Sequence, residues 1–529
     1  MKMLKTASFA ALAAILVLSG CGSSNSSNES DATDVNGKVT LNFLTQSSPL
    51  APADPNDKLI NKRLEEKTGI HIRWKNFTSD QFVEKRNLAI ASGDLPDAVF
   101  DAGYSDYDLL KLAKDGVIIP VEDLIEQHMP NFKKVLEQSP EYKAMLTAPD
   151  GHIYSFPWIE ELGTGKEAIQ SVDDLPWINV EWLKKLGLSM PKTTEELKQV
   201  LIAFKTKDPN GNGQADEIPL SFIDKPGGED LAFLYGAFGL GENWDHTVVT
   251  NDGKVVFTAA DNGYKEAVKY IHDLYKEGLV DIESSQQDWN TYLAKGKDHR
   301  YGLYFTWDKA NITGTNKKYD LMPPLAGPVG HVNVTRSNGI GFDRGRMVIT
   351  STNKKLEATA KWIDQLYDPI QSIQNNWGTY GDAKQKNIFE YDTTKGMLKH
   401  LPLEGSAPVE IRQKTNIGGP LAVLDEYYGK YTTQPEDATW RLGLLKKVMV
   451  PHMQADHNYP KVFFSIDELD RLSTIETDLF AYVLRKRTEW YQNGKVEEEW
   501  PEYLQELNSL GLQEWLQIKQ AGYDRNASK

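Results

Sequence analysis

A single cysteine, Cys21, stands in 529 residues, so the chain cannot form a disulfide within itself. Basic charge is also scarce. Lys and Arg number 59 against 75 Asp and Glu, a formal net charge of −16. Nucleic-acid binding needs clustered cations to neutralise phosphates, and this balance argues against it. A surface of that sign also repels anionic ligands outside a local basic pocket. Catalytic signatures are missing too. There is no G-x-S-x-G elbow, and "GTGKE" at 163–167 lacks the first glycine and the Ser or Thr of a P-loop. "GIGFDRG" does not have dinucleotide-fingerprint spacing, no histidine pair has H-E-x-x-H spacing, and the ten histidines are scattered. Adjacent acids such as Glu160–Glu161 and Asp173–Asp174 suggest a glycosidase pair, but among 75 acidic groups such neighbours arise by chance. The sequence reads as a protein that is not an enzyme.

What is present begins at the N-terminus. Lys2 and Lys5 precede the apolar stretch "TASFAALAAILVLSG", which is shorter than the roughly 18–20 residues of a bilayer span and reads as an export signal. It ends in "LSGC", Leu18 to Cys21, which resembles the bacterial lipobox. That resemblance implies a signal peptide over 1–20 and a diacylglyceryl group on Cys21. Two acyl chains suffice for durable membrane attachment. Residues 21–37 have almost no apolar content and read as a disordered tether. The body is placed on the extracellular face of the cell membrane, lipid-anchored.

At 40% hydrophobic and 25% charged residues, the remainder is an ordinary globular chain, too long for one core. "KVTLNFLTQSS", "HIRWKNF" and "PDAVFDAG" read as strands, separated by helical "DPNDKLINKRLEEKTGI" and "SDQFVEKRNLAIASGD". Strand–helix alternation implies parallel βαβ units and an α/β fold. From about Asn353 the pattern is mainly helical. No internal repeat is visible.

"KDPNGNGQADEIPL" spaces oxygen-bearing side chains around two glycines. Counting Asp208 as position 1, Asn210, Asn212, Gln214 and Asp216 fall at 3, 5, 7 and 9, with Gly213 at 6, as a calcium loop requires. Position 12 is Pro219 where an EF-hand places a bidentate Glu; Glu217 is the substitute carboxylate. Asx- and Gly-rich turns also form without metal. One helix precedes the loop, where Thr193 and Glu196 form a capping-box pattern, and the strand-like "EIPLSFI" follows it. A calcium switch changes the angle between two helices. This arrangement reads instead as a static clamp.

"ASGDLPDAVF", "LAKDGVIIPVEDLIEQHMPN", "DGHIYSFP", "EWLKKLGLSMPKTTEELKQVLIAFKTKDPNGNGQADEIPL", "GPVG" and "AGYDR" follow in an order that resembles the large extracellular solute-binding lipoproteins, family 1, of carbohydrate ABC importers. The chain is also similar to alginate-oligosaccharide-binding proteins. The resemblance implies a two-lobed periplasmic-binding-protein type II fold with large helical additions in the second lobe. Residues 38–157 plus 300–352 would form the N-terminal lobe, and 158–299 plus 353–529 the C-terminal lobe with the calcium loop. It further implies structural Ca²⁺ held by Asp208, Asn210, Asn212, the Gln214 carbonyl, Asp216 and Glu217. Partners would be an oligosaccharide and two permease subunits with a cytoplasmic ATPase, serving a monomer. The alternatives are a surface-attached carbohydrate-active enzyme or a receptor for a non-sugar solute such as a peptide.

Ligands of open α/β sheets sit beyond the carboxyl ends of the strands. That rule selects Gln46, Asp101, Tyr104 and Trp307, and the interlobe connection adds Trp158. Trp177, Trp289 and Trp377 with Tyr380 lie in loop-like or helix-edge settings of the second lobe. Flat aromatics match the C–H face of a sugar, and polar side chains its hydroxyl rim. Trp182, Trp362, Trp440, Trp490, Trp500 and Trp515 fall at helical spacing and read as packing residues. Relatives commonly have arginine where this chain has Asn179, which argues against an acidic sugar.

Overall fold

The computed structural model describes residues 38–224, 229–403, 408–453 and 458–527. The export segment, Cys21 and the tether lie outside the described residues. The body opens as its sequence pattern requires. Strands β1 (Val39–Ser47) and β2 (Ile70–Thr78) pair in parallel, from Val39 opposite Ile70 to Ser47 opposite Thr78. Their crossover helix, Leu59–Thr68, stops at Gly69, whose φ of 70° suits a residue with no Cβ. Strand β3 (Ala98–Phe100) adds in parallel on the other edge of β1.

The following strands are β4 (Phe156–Glu160), β5 (Leu175–Asn179), β6 (Ile218–Ser221), β7 (Thr247–Val249), β8 (Val255–Phe257), β9 (Tyr301–Thr306), β10 (Tyr319–Leu321) and β11 (Phe342–Ile349). The last are β12 (Phe389–Asp392), β13 (Met397–His400) and β14 (Leu421–Val423). They build two main sheets, one ordered β14-β4-β11-β3-β1-β2 and the other β10-β5-β9-β6, while β7-β8 and β12-β13 are separate hairpins. This is a mixed α/β molecule organised around two sheets, as expected.

Each sheet has its own core. Around the first, Phe43, Trp74, Phe100 and Trp362 meet edge-to-face at centroid distances of 5.2–6.1 Å. Around the second, Leu303 and Phe305 of β9 pack with Phe204 and with Trp490, Tyr503 and Trp515 of the C-terminal helices. Trp182, Trp362, Trp490, Trp500 and Trp515 are all buried. Trp440 is not: it is 37% exposed.

The lobe limits drawn from sequence do not follow the sheets. Strand β9, placed with the first lobe, pairs with β5 and β6 of the second sheet. Helices Leu356–Leu366 and Pro369–Trp377, placed with the second lobe, pack on the first sheet, where β14 pairs with β4. A run such as "YGLYFT" shows that a strand forms, while its partner is fixed by contacts far away in the chain. The chain therefore passes between the sheets along 161–174, 322–341 and 424–444. At the second passage Gly341 (φ 67°) lies so close to Glu160 that an added Cβ would stand 1.9 Å from the Glu160 carbonyl oxygen. The Gly341 carbonyl in turn accepts the Glu160 amide at 2.8 Å. Only glycine fits that junction.

Candidate functional site

Two cavities meet at Trp307, the residue after β9. One, of about 330 Å³, lies between Glu160, Asn376, Trp377 and Arg412 on the first-sheet side and Asp308 and Arg441 on the other. The second, of about 400 Å³, is lined by Asp173, Asp174, Glu229, Trp244 and Asn338. A third, of about 810 Å³, shares Asp245, Asn338 and Lys461 with it and runs between Tyr104–Tyr107 and the helix Ile466–Asn493. All three sit where the chain passes between the sheets. Those connections leave the strands at their carboxyl ends, so polar side chains gather there without disturbing either core.

The first cavity has a hydrogen-bonded floor. The Trp158 indole donates to Asn376 Oδ1 at 3.3 Å, and Asn376 Nδ2 donates to Glu160 Oε1 at 2.7 Å. Arg412 lies 4.4 Å from the Trp377 ring centroid and donates to Asp437 at 2.9 Å. Burial raises the Glu160 carboxyl above its ordinary range. The second cavity is acidic. Burial pushes Asp173 up to about 6 and also raises Asp174 and Glu229, as it does neighbouring Asp230 and, in the first cavity, Asp308. Arg441 lies among these carboxylates, lowered by its own burial to about 10. Carboxylates, amides and guanidinium groups beside flat indoles suit a neutral ligand with many hydroxyls.

Trp307, Trp377 and Trp158 are therefore at or against the cleft. Tyr104 lines the third cavity, its buried hydroxyl without a partner among the described residues. Asp101 and Gln46 bind each other: Gln46 Nε2 donates to the Asp101 carbonyl at 2.8 Å, and Arg346 pairs with the Asp101 carboxylate at 2.8 Å. Three placements are corrections. Trp177 is fully buried in β5, flanked by β9 and β10, and it stacks on Trp440 at 5.4 Å. Tyr380 stacks on Tyr391 at 5.1 Å under Arg63 and lines none of the described cavities. Trp289 starts the helix Trp289–Lys297 and is 39% exposed, also away from them. Asn179 is equally internal, capping the helix Val180–Leu186. Glu160, Asp173, Asp174, Trp244, Asn376 and Arg441 were not selected from sequence. Asp173, Asp174 and Arg441 lie on segments that pass between the sheets, whereas Glu160 ends β4, Trp244 precedes β7 and Asn376 lies in the helix Pro369–Trp377, so no single local signal marks the set.

The metal-like loop leads from the helix Thr194–Thr206 into β6. Thr193 Oγ1 accepts the Glu196 amide at 3.1 Å, while the Glu196 carboxylate reaches the Lys192 amide, so only half of the capping box forms. Asp208 (φ 43°) accepts the amides of Gly211, Asn212 and Gly213 at 2.9–3.1 Å. Asn210 and Asn212 carbonyl oxygens close Asx turns on the amides of Asn212 and Gln214. Asp216 accepts from both asparagine amides, and Glu217 Oε1 is buried without a partner among the described residues. Among those residues no three His, Cys, Asp or Glu side chains form a ready cage. The donor set is instead carboxylate plus amide oxygen. An orphaned carboxylate oxygen beside it fits a hard cation.

A family model for bacterial extracellular solute-binding proteins matches residues 52–373. The fructooligosaccharide ABC transporter substrate-binding protein FusA of Streptococcus pneumoniae serotype 4 is 59% identical over 519 residues, 97% of this chain and 96% of FusA. The solved structure of FusA in complex with kestose superposes with a TM-score of 0.91 at 61% identity, covering 93% of this chain and 100% of that one. A FusA EF-hand mutant in complex with fructo-nystose matches with the same values.

Proposed function

From the premise that this chain belongs to the bacterial extracellular solute-binding proteins, we propose that it is the substrate-binding component of an ABC importer and captures fructooligosaccharides between its lobes. The observation that carries this is Trp307, an indole set between two polar cavities at the junction of two sheets, in a chain 61% identical to a protein solved with kestose. The indole offers a face to the C–H side of a sugar ring, and the flanking carboxylates and Asn376 offer acceptors and a donor to its hydroxyls. Binding that favours the closed arrangement by its differential affinity then presents the loaded form to permease subunits. The relatives matched are binding proteins, so the sugar passes on unaltered.

The sheets support one lobe over 38–160 and about 341–433, and another over the remaining described body. Asp208, Asn210, Asn212, the Gln214 carbonyl, Asp216 and Glu217 would hold Ca²⁺, which supplies charge neutralisation and ties helix to strand. The loop's donor set and a relative described by its EF-hand support that reading. "LSGC" supports lipid anchoring through Cys21 at the outer face of the membrane. A monomer suffices for all of this.

A thermal-shift panel of fructooligosaccharides, other glycans and peptides tests the substrate class. A ligand present at 100 times its dissociation constant adds about 2.7 kcal/mol of stability. Kestose or its longer homologues should raise the melting temperature. A panel in which only peptides do so contradicts the proposal.

A further inference from the structure

Trp307 lines two cavities, so an oligosaccharide stacked on it needs the indole plane held still. One residue does most of that holding. The Arg441 guanidinium carbon lies 3.6 Å from the Trp307 ring centroid, covering one face of the indole. Arg441 is 2% exposed. It donates through Nη1 to the Trp307 carbonyl itself and through Nη2 to the Val172 carbonyl, and Nη2 also reaches the Asp173 carbonyl at 2.8 Å. Its Nε faces the Ile169 carbonyl at 3.5 Å. One planar cation thus joins the end of β9, the first passage between the sheets and the third. A lysine has neither the flat face nor the fork of donors for this arrangement.

The helix that carries Arg441, Glu436–Leu444, is itself anchored by the preceding residue. Trp440 stacks on the buried Trp177 at 5.4 Å with an interplanar angle of 15°. Residues 440 and 441 therefore grip β5 and the end of β9 from one helix. With one face against a guanidinium that is fixed by four carbonyls, the Trp307 ring cannot turn about its side-chain bonds without breaking the stack. The rest of the ring packs beside Leu162, Ile169 and Ala438 and borders both cavities.

We propose that Arg441 is the positioning residue of this site, holding the Trp307 indole in the orientation that presents it to a sugar ring in the cavities it borders. The inference rests on the oligosaccharide reading for its consequence in binding, while its structural half stands without a ligand. A general structural role for a buried arginine predicts lost stability without any special link to Trp307. A positioning role predicts that the effects of Arg441 and Trp307 on affinity are coupled.

The experiment combines two readouts on the mature protein. Calorimetric titration with kestose compares wild type, R441Q, R441K, W307A and the R441Q/W307A double variant, with melting temperatures measured in parallel. Loss of an aromatic platform corresponds to about tenfold weaker binding. R441Q and W307A should each lose about that factor, and the double variant should bind no more weakly than W307A within about twofold. R441K keeps the cation among the surrounding carboxylates and serves if R441Q does not fold; it should show the same weakening. Separately, fluorotryptophan labelling gives a fluorine resonance for Trp307, assigned by its loss in W307F. It should shift or split in R441Q and R441K. An unmoved Trp307 resonance, wild-type affinity in R441Q or R441K, or an equal loss from R441Q with and without Trp307 overturns the proposal. A wild type that ignores kestose defeats the oligosaccharide reading instead, and the fluorine spectrum still decides whether Arg441 holds the ring.

Discussion

At the scale of single residues, the acidic cavity makes the clearest statement. Burial lifts Asp173 from an ordinary value of 3.8 to about 6, so the folded state holds a proton there between about pH 4 and pH 6 that the unfolded chain releases. Stability from this group falls as pH rises through that window and then stays level. Asp173→Asn removes the titration. The variant should melt higher than wild type at pH 7, by the equivalent of about 3 kcal/mol, and the gap should close below about pH 4. Thermal melts across that range check it; a gap that widens on acidification would reverse the sign. Such acids were visible in the sequence only as neighbours among many. Tryptophans show the same limit. Trp362, Trp490 and Trp515 announce their burial by helical spacing, whereas "LPWIN" and "YFTWD" carry no periodicity that separates the buried Trp177 from the cleft-lining Trp307. What separates them is that β5 lies between two other strands, while Trp307 follows the end of its own.

At the scale of elements, the loop between the helix Thr194–Thr206 and β6 is a joint. Lys185 Nζ donates to the Pro209 carbonyl at 3.2 Å and Arg300 Nε to the Asp216 carbonyl at 3.1 Å, so the loop also touches the helix Val180–Leu186 and the start of β9. A cation bound there stabilises the fold by mass action. Chelation should lower the melting temperature of wild type, and Glu217→Gln should melt near the chelated value and respond less to added calcium. A melting temperature indifferent to both chelator and calcium would remove the metal from the joint. The order of helix, loop and strand was legible, because all three depend on local chemistry. Sheet membership was not. Strand β9 belongs to the second sheet, and β14 and the helices at 356–377 to the first, against the lobe limits drawn from sequence, since strand partners are chosen by packing across long separations.

At the scale of the molecule, two cores with polar connections between them are the construction that hinge closure requires, in which each part stays packed. On the proposed function, the passages at 161–174, 322–341 and 424–444 would serve as the hinge, and a ligand that bridges Glu160 and Asn376 to Trp307 and Asp173 would couple occupancy to the angle between the sheets. The two-lobed α/β architecture could be read from the sequence through strand–helix alternation and the ordered run of family segments. The cleft's polar set could not, because its members come from a strand end, a helix and connections that only the tertiary fold brings together.

The central claim is reversible capture of a fructooligosaccharide without chemistry, and a calorimetric titration of kestose into the protein in calcium-containing buffer tests it in one trace. Saturable heat at one sugar per chain, returning to baseline after every injection, is the expected result. An absence of saturable heat, or a sustained heat flow that continues until the kestose is consumed, would contradict it.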